Sequence, residues 1–221
     1  MPALTVDKKR NILYLGTDPT HYIGQGIVIH YPVIEICPRK SSDPSISRAL
    51  DQMDKFTHFI FTSKNAVEVF FSLTNEKHVC VDVFQSKQFI SIGSITARYL
   101  MKYKITPVIT AYEETQEGLI KELDTLDLSQ AFILLPRSSL SRPILTEYFQ
   151  QRGVMFCPLD LYDTLPKASL PPLDLADIDE IVFTSPSTVS AFFNLSLDIS
   201  SRIILRAIGP ITKTALASRW G

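Results

Sequence analysis

The sequence predicts an α/β fold with two similar domains, each built on a parallel sheet. Short apolar runs alternate with amphipathic stretches along the chain, which is typical of parallel strands joined by helices. One strand–turn–helix block, FIFTSKNAVEVFF at 59–71, recurs as IVFTSPSTVSAFF at 181–193, with six identities in thirteen positions. A second block, FISIGSITARYL at 89–100, recurs as LRAIGPITKTAL at 205–216. Two blocks repeated in the same order indicate duplication of a whole α/β unit.

Each apolar run is short enough to be a buried strand, and an amphipathic helix is predicted to follow most of them. The predicted strands are Ile12–Leu15, Phe59–Phe61, Phe89–Ile92, Phe132–Leu135, Ile181–Phe183 and Ile203–Ile208. The predicted helices are Asn65–Leu73, Ile95–Tyr103, Gln116–Leu126, Ile144–Arg152, Thr188–Leu195 and Ile211–Arg219.

Composition excludes several classes of function. The chain has 221 residues and a net charge of −1, so it has no global field to attract nucleic acid or an anionic membrane. No apolar run approaches the length of a membrane span, and the first residues contain no signal core, so we expect a cytoplasmic protein. The histidines and the three cysteines lack metal-ligand spacing. We therefore expect no metal site, and cysteines that are buried, reduced thiols.

The repeated blocks place small hydroxyl residues or glycine where a strand turns into a helix. Ser63 and Ser185 fit the N-cap position, and Pro186 and Pro210 fit the first helical position. A helix start has unpaired backbone N–H groups and a partial positive charge, so it can bind a carboxylate or phosphate. A serine before a helix is by itself usually only a cap. Recurrence in four turns favours an anionic ligand, although no nucleotide-binding motif is present.

The order of these and other motifs resembles the uroporphyrinogen-III synthase family, from about residue 27 to the end. The segments that carry the resemblance are FTSKNAV at 61–67, GSITA at 93–97, EGLIKEL at 117–123, LLPRSSLSRPILTEYFQQRGVMF at 134–156, LYDTLP at 161–166, DEIVFTSPSTVSAFF at 179–193 and AIGPITKTAL at 207–216. Lys64 departs from the family pattern, in which proline is common at that position.

The resemblance implies two α/β domains joined by a two-stranded β linker, with a cleft between them. We expect an inserted domain at 38–158, a discontinuous domain at 1–32 plus 166–221, and linkers at 33–37 and 159–165. From the resemblance we expect the discontinuous domain to be shortened at both ends relative to the family. This order also predicts that strand Ile12–Leu15 lies in one sheet with Ile181–Phe183 and Ile203–Ile208.

The resemblance also implies a reaction. Linear hydroxymethylbilane would lose its hydroxyl as water, its fourth ring would attack through the substituted carbon, and a spiro intermediate would reopen and close to uroporphyrinogen III. This chemistry needs no metal or organic cofactor. We expect hydroxymethylbilane as the ligand, possible transfer of it from hydroxymethylbilane synthase, a monomeric state, and no nucleic-acid or membrane partner.

Site residues follow from the family motifs and the repeated turns. Tyr162 aligns with the family's tyrosine and is the expected proton donor, and Thr212 is the second expected catalytic residue. The expected substrate-binding residues are Thr62, Ser63, Lys64, Gly93, Ser94, Thr96, Arg137, Ser185, Ser187, Gly209 and Pro210. Packing of the Tyr162 ring and helix capping by the threonines are the alternative roles.

Two other functions stay open at this point. Two parallel α/β domains joined by a hinge are also the architecture of non-catalytic proteins that bind small anions. A synthase that has kept the fold and lost its activity would have the same motifs.

Overall fold

The structure, a computed structural model, describes residues 9–20, 22, 24 and 26–220. Their contacts divide the chain into two units, one made of residues up to Ile36 with those from Thr164 onward, the other of Cys37–Asp163. The described strands are β1 (Arg10–Tyr14), β2 (Gly26–His30), β3 (Ile34–Pro38), β4 (His58–Phe61), β5 (Gln88–Ser91), β6 (Ile109–Thr110), β7 (Phe132–Ser138), β8 (Met155–Pro166), β9 (Glu180–Phe183) and β10 (Ile204–Ala207). The described α-helices are α1 (Pro44–Asp51), α2 (Lys64–Glu76), α3 (Ser94–Lys102), α4 (Gln116–Leu123), α5 (Ile144–Gln151), α6 (Pro186–Phe193) and α7 (Pro210–Trp220).

The discontinuous unit contains a sheet whose described strands follow the order β10-β9-β1-β2. All three neighbouring pairs are parallel. Leu13 and Leu15 pack with Ile181, Phe183 and Phe192 into the core of this unit, which α6 and α7 help to form. Strand β1 therefore lies in one sheet with β9 and β10, which confirms the topology predicted from the order of the motifs.

A second sheet has the described order β3-β8-β7-β4-β5-β6, and its strands β7, β4, β5 and β6 lie wholly in the continuous unit. Strands β8, β7, β4, β5 and β6 pair in parallel. Stacked and edge-on phenylalanines fill the core on the α2 side, among them Phe59, Phe70 and Phe89. The fold class is therefore α/β with parallel sheets, as the sequence predicts.

Strands β3 and β8 are neighbours in this sheet, and they run in opposite directions. The Arg39 N–H donates to the Leu161 carbonyl at 2.8 Å, and the Lys167 N–H donates to the Val33 carbonyl at 2.9 Å. Strand β8 is continuous through 159–165, the segment that we predicted as a linker.

The duplicated blocks form matching elements in the two units. The block at 59–71 forms β4 and α2, and its repeat forms β9 and α6. The second block forms β5 and α3 at 89–100, and its repeat forms β10 and α7. Because β4 pairs in parallel with β5, and β9 with β10, each pair of turns lies at one edge of its sheet.

Several strands and one helix of the structure were not predicted from the sequence. Strand β8 contains Pro158 and Pro166, and proline normally argues against a strand. Helix α1 had a usable signal, because Asp43 accepts hydrogen bonds from its first turn and Pro44 is its first residue. Helix α4 ends at Leu123 rather than Leu126, since the Thr125 and Leu126 N–H groups bond to the carbonyls of Glu122 and Leu123 in tight turns.

The expectation that the cysteines are buried was wrong, most clearly at Cys80. Cys80 is exposed, because it precedes a short 3-10 turn at Val81–Phe84 that follows α2 on the surface. Cys37 and Cys157 are half-buried, and all three thiols are free. Among the helices that the structure describes, none combines the length and the apolar character that a membrane span requires.

Candidate functional site

The turn between β4 and α2 carries the first Thr-Ser pair. Ser63 has extended backbone angles, and its Oγ accepts a hydrogen bond from the Ala66 N–H at 3.0 Å. It is therefore the N-cap that the sequence predicted. Thr62, Ser63 and Lys64 are all half-buried, so this turn remains accessible from the edge of the sheet.

Tyr162 lies on β8 with its hydroxyl oxygen 2.9 Å from Ser63 Oγ. The residue is only 3 % exposed. An irregularity in the pairing of β7 and β8 between Arg137 and Ser138 brings Ser138 opposite Tyr162. The tyrosine therefore lies behind the Thr-Ser turn, inside the continuous unit, with its hydroxyl at the start of α2.

The environment of Tyr162 acts on its pKa in both directions. Burial raises the pKa above its ordinary value of 10.0, whereas hydrogen bonding with Ser63, Asn65 and Ser138 opposes this shift. The net direction is upward, because burial disfavours the charged phenolate. Tyr162 therefore keeps its proton at neutral pH and can act as a hydrogen-bond donor.

Arg137, the expected charge partner of the substrate, already has a carboxylate partner. Its Nε donates to Asp160 Oδ1 at 2.8 Å, between residues that are register partners on β7 and β8. The Arg137 and Asp160 side chains are 22 % and 32 % exposed. Arg137 also lines a cavity of about 10 Å³, together with Thr62 and Arg142, which is room for a single water.

Arg142 forms a second, bidentate ion pair beside this cavity. Its Nη1 and Nη2 donate to the two carboxylate oxygens of Glu117 at 2.5 and 2.8 Å. These hydrogen bonds lower the pKa of Glu117 from 4.5 to about 2. Both arginines of the PRSSLSRP segment thus hold carboxylates of the chain itself.

The turn between β5 and α3 carries Gly93 and Ser94, and here too a carboxylate of the chain is bound. Glu114 Oε1 accepts hydrogen bonds from the Ser94 N–H and from Ser94 Oγ, each at 2.8 Å. A Cβ at Gly93 would lie 2.4 Å from Glu114 Cδ, so glycine makes room for this carboxylate. The sequence predicted a bound anion at this helix start, and Glu114 occupies it.

Lys64 and Thr96 lie near the same edge. The Lys64 ammonium lies 5.4 Å from the centre of the Tyr99 ring, a cation–π contact between α2 and α3. Thr96 is 4 % exposed in the first turn of α3. Its burial favours a structural contribution to this turn.

The equivalent Thr-Ser turn of the discontinuous unit is a capping box. Ser185 Oγ accepts from the Thr188 N–H at 3.3 Å, and Thr188 Oγ1 accepts from the Ser185 N–H at 3.1 Å. Ser187 Oγ lies 3.0 Å from Ser185 Oγ. Ser185 thus forms hydrogen bonds with hydroxyl groups of residues close to it in sequence. Ser63 instead forms a hydrogen bond with a tyrosine on strand β8.

The last repeated turn differs from its counterpart in backbone conformation. Gly209 has φ +85°, which a residue with a side chain rarely adopts, and Pro210 begins α7 directly after it. A Cβ at Gly209 would have open space around it within 4 Å. Thr212 is in the first turn of α7 and is 3 % exposed. Glycine is therefore required for two different reasons at the two turns. Gly209 adopts a positive φ, whereas Gly93 leaves room for the Glu114 carboxylate.

Four residues of this site were not predicted from the sequence: Asn65, Glu114, Ser138 and Asp160. Glu114 lies far from Ser94 in sequence, and only the order of the strands brings the segment after β6 beside α3. Asp160 was detectable only through the register of β7 and β8. The local sequence therefore predicted the turns but not the carboxylates that fill them.

The sequence profile of the family described as uroporphyrinogen-III synthase HemD matches residues 23–220. The chain belongs to this family. A candidate uroporphyrinogen-III synthase of Methanothermobacter thermautotrophicus is 27 % identical over 195 residues, covering 82 % of this chain and 76 % of the relative. The porphyrin biosynthesis protein HemD of Ruminiclostridium josui is 23 % identical over 203 residues. That match covers 86 % of this chain but only 38 % of the relative.

Solved structures of uroporphyrinogen-III synthases share the fold. A mutant of the Thermus thermophilus enzyme superposes with a TM-score of 0.65 at 17 % identity, over 95 % of this chain and 88 % of that protein. The Helicobacter pylori protein gives 0.62 at 20 % identity, over 95 % and 89 %. At these identities the agreement concerns the α/β architecture.

Proposed function

We propose that this chain is a uroporphyrinogen-III synthase, which converts hydroxymethylbilane to uroporphyrinogen III without a cofactor. The substrate supplies its own nucleophile, because its fourth ring attacks the carbon that has lost its hydroxyl. The protein has two tasks. It helps the hydroxyl to leave as water, and it folds the linear bilane so that spiro closure is faster than the competing head-to-tail closure.

The departure of the hydroxyl requires a proton donor. The buried phenol of Tyr162 keeps its proton at neutral pH, and its hydroxyl lies at the Ser63 turn, at the edge of the sheet. Help of this kind from a general acid typically accelerates a step by about 10²–10⁴-fold. We assign Tyr162 as the proton source of the dehydration.

The substrate carries carboxylates that need partners. Helix starts at Ser63, Ser185 and Gly209 offer backbone N–H groups, and a hydrogen bond from such a group to a carboxylate contributes about 1.5–3 kcal/mol. A hydrogen bond from Thr212 to the substrate stays a prediction, because Thr212 is 3 % exposed and its burial, like that of Thr96, favours a structural contribution to the first turn of α7. Transfer of the bilane from hydroxymethylbilane synthase and a monomeric state stay predictions.

The hydrogen bond between Tyr162 and Ser63 is the observation that carries the proposal. It joins the tyrosine that aligns with the family's tyrosine to the turn that the chain has duplicated. A buried phenol needs a hydrogen-bond partner in any case, so it is the position of this pair at a duplicated helix start that supports the proposal. An anion-binding protein would not need a proton donor there.

The test is an assay of the reaction product. Hydroxymethylbilane, generated by its own synthase, is incubated with the purified protein, and the porphyrins formed on oxidation are separated by isomer. We expect the type III isomer. Type I product alone, as the bilane gives by spontaneous closure, would refute the proposed activity and leave a binding protein or an inactive synthase.

A further inference from the structure

The two residues of the Tyr162–Ser63 pair differ in their exposure to solvent. Tyr162 is 3 % exposed, whereas Ser63 is half-buried and lies on the turn that ends β4. Their hydroxyl oxygens are 2.9 Å apart. A ligand at this edge of the sheet therefore meets Ser63 first, and the phenol oxygen lies behind it.

The Tyr162 hydroxyl can donate its proton to Ser63. A tyrosine hydroxyl has one proton and two acceptor lone pairs, so the same oxygen can donate to one partner and accept from others. Its oxygen lies 2.9 Å from Ser63 Oγ, and either hydroxyl can be the donor in this pair. In the direction from Tyr162 to Ser63, the buried phenol supplies a proton to the more exposed serine.

Ser63 Oγ also has one proton and two lone pairs. It accepts one hydrogen bond from the Ala66 N–H at 3.0 Å, and it accepts a second when Tyr162 donates. Both lone pairs are then occupied, which leaves the serine proton to be donated. Hydrogen bonds in such a chain strengthen one another, so the helix start and Tyr162 both make Ser63 a better donor.

We propose that Ser63 is the residue that contacts the leaving hydroxyl of the substrate, and that Tyr162 supplies the proton through it. This inference rests on the proposed synthase activity and changes the role expected of Ser63 from capping and carboxylate binding to proton transfer. Tyr162 then acts as a positioning residue and proton source, without touching the substrate.

The proton balance closes within one turnover. The Ser63 proton moves to the leaving oxygen as the carbon–oxygen bond breaks, and water departs. The Tyr162 proton moves to Ser63 Oγ in the same step. The carbon–carbon bond that closes the ring releases a proton from the attacking pyrrole, and this proton returns to Tyr162 through Ser63.

A double-mutant cycle tests the order of the two residues. We expect Ser63→Ala and Tyr162→Phe each to lower kcat for type III formation by a similar factor, within about 10²–10⁴-fold, with KM changed less than about twofold. The double variant is expected to be no slower than the slower single variant, because both changes break one path. Ser63→Thr, which keeps the hydroxyl and the cap, is expected to restore activity.

Thr115→Ala is the matched control for capping. Thr115 caps α4 in the same unit by accepting from the Gly118 N–H at 3.0 Å, the same length as the bond at Ser63. We expect this variant to keep the kcat of the wild type. If Ser63→Ala does not fold, Ser63→Gly replaces it, since glycine is accepted at N-caps.

A spectroscopic measurement reads the hydrogen bond without turnover. In protein labelled with ¹³Cζ-tyrosine, the Tyr162 signal is the one lost in Tyr162→Phe, and we expect Ser63→Ala to shift it while Thr115→Ala leaves it in place. An unshifted signal, losses that multiply in the double variant, or wild-type kcat in Ser63→Ala would each overturn the relay. Absence of type III product from the wild type would instead overturn the proposed function.

Discussion

The Glu114 carboxylate accepts hydrogen bonds from both the backbone N–H and the hydroxyl of Ser94, each at 2.8 Å. It thereby occupies the start of α3, where the sequence predicted that a substrate carboxylate binds. A carboxylate of the substrate at this helix start must displace Glu114. The contact is exposed, so displacement costs little.

Removal of Glu114 is therefore expected to strengthen substrate binding. In Glu114→Ala the Ser94 N–H is free for a substrate carboxylate, and we expect KM for hydroxymethylbilane to fall by no more than about fivefold, since the gain cannot exceed the cost of displacing an exposed contact, about 1 kcal/mol at most. Glu113→Ala is the matched control, because it removes the same charge from a neighbour that pairs with Lys121 instead. An equal change of KM in both variants would show that only net charge matters.

Loss of the Tyr162 hydroxyl is expected to slow the reaction and change its product. Tyr162→Phe keeps the buried ring, so circular dichroism should match that of the wild type. The rate of type III formation is expected to fall by about 10²–10⁴-fold. Because spontaneous closure gives type I, the type I fraction should rise. A variant with wild-type rate and pure type III product would return Tyr162 to a packing role.

Thr212 is expected to act through its hydroxyl rather than its shape. Thr212→Val keeps the buried volume at the start of α7 and removes the donor, and we expect a loss of kcat/KM of about ten- to a hundredfold. Thr212→Ser keeps the donor and should retain most of the activity. The same pair of changes at Thr96, its counterpart in α3, is the comparison. Equal losses at both positions would indicate a structural role shared by the two threonines.

The sequence predicted the duplicated blocks well because each carries its own local signals. Ser63 and Ser185 cap helices as predicted, and Pro186 and Pro210 begin them. Strand β8 was missed because it contains prolines, which normally argue against a strand. Its pairing with β7 outweighs this local preference. Glu114 was missed because its partner is determined by the order of strands, and no local pattern contains that information.

The ion pair between Glu117 and Arg142 is expected to contribute to stability in a defined range of pH. The pKa of Glu117 falls from 4.5 to about 2 on folding, because Arg142 donates two hydrogen bonds to its carboxylate. The contribution is therefore complete above about pH 4.5 and is lost as pH falls towards 2. Since the Glu117 side chain is 48 % exposed, we expect no more than about 1 kcal/mol.

Urea unfolding at several pH values measures this contribution. Glu117→Gln should have a lower free energy of unfolding than the wild type at pH 7, and the difference should shrink as pH falls below about 4.5. Exposed Glu147 provides the control variant, Glu147→Gln. A difference that stays constant from pH 7 to pH 3 would mean that the pair does not shift the pKa of Glu117.

The isomer composition of the product formed from hydroxymethylbilane tests the central claim most directly. The wild type and Tyr162→Phe are compared at equal concentration, beside a reaction without protein that reports spontaneous closure. We predict predominantly type III porphyrin from the wild type, and a mixture shifted towards type I from the variant. Type I product from the folded wild type, at the rate of the reaction without protein, would contradict the account.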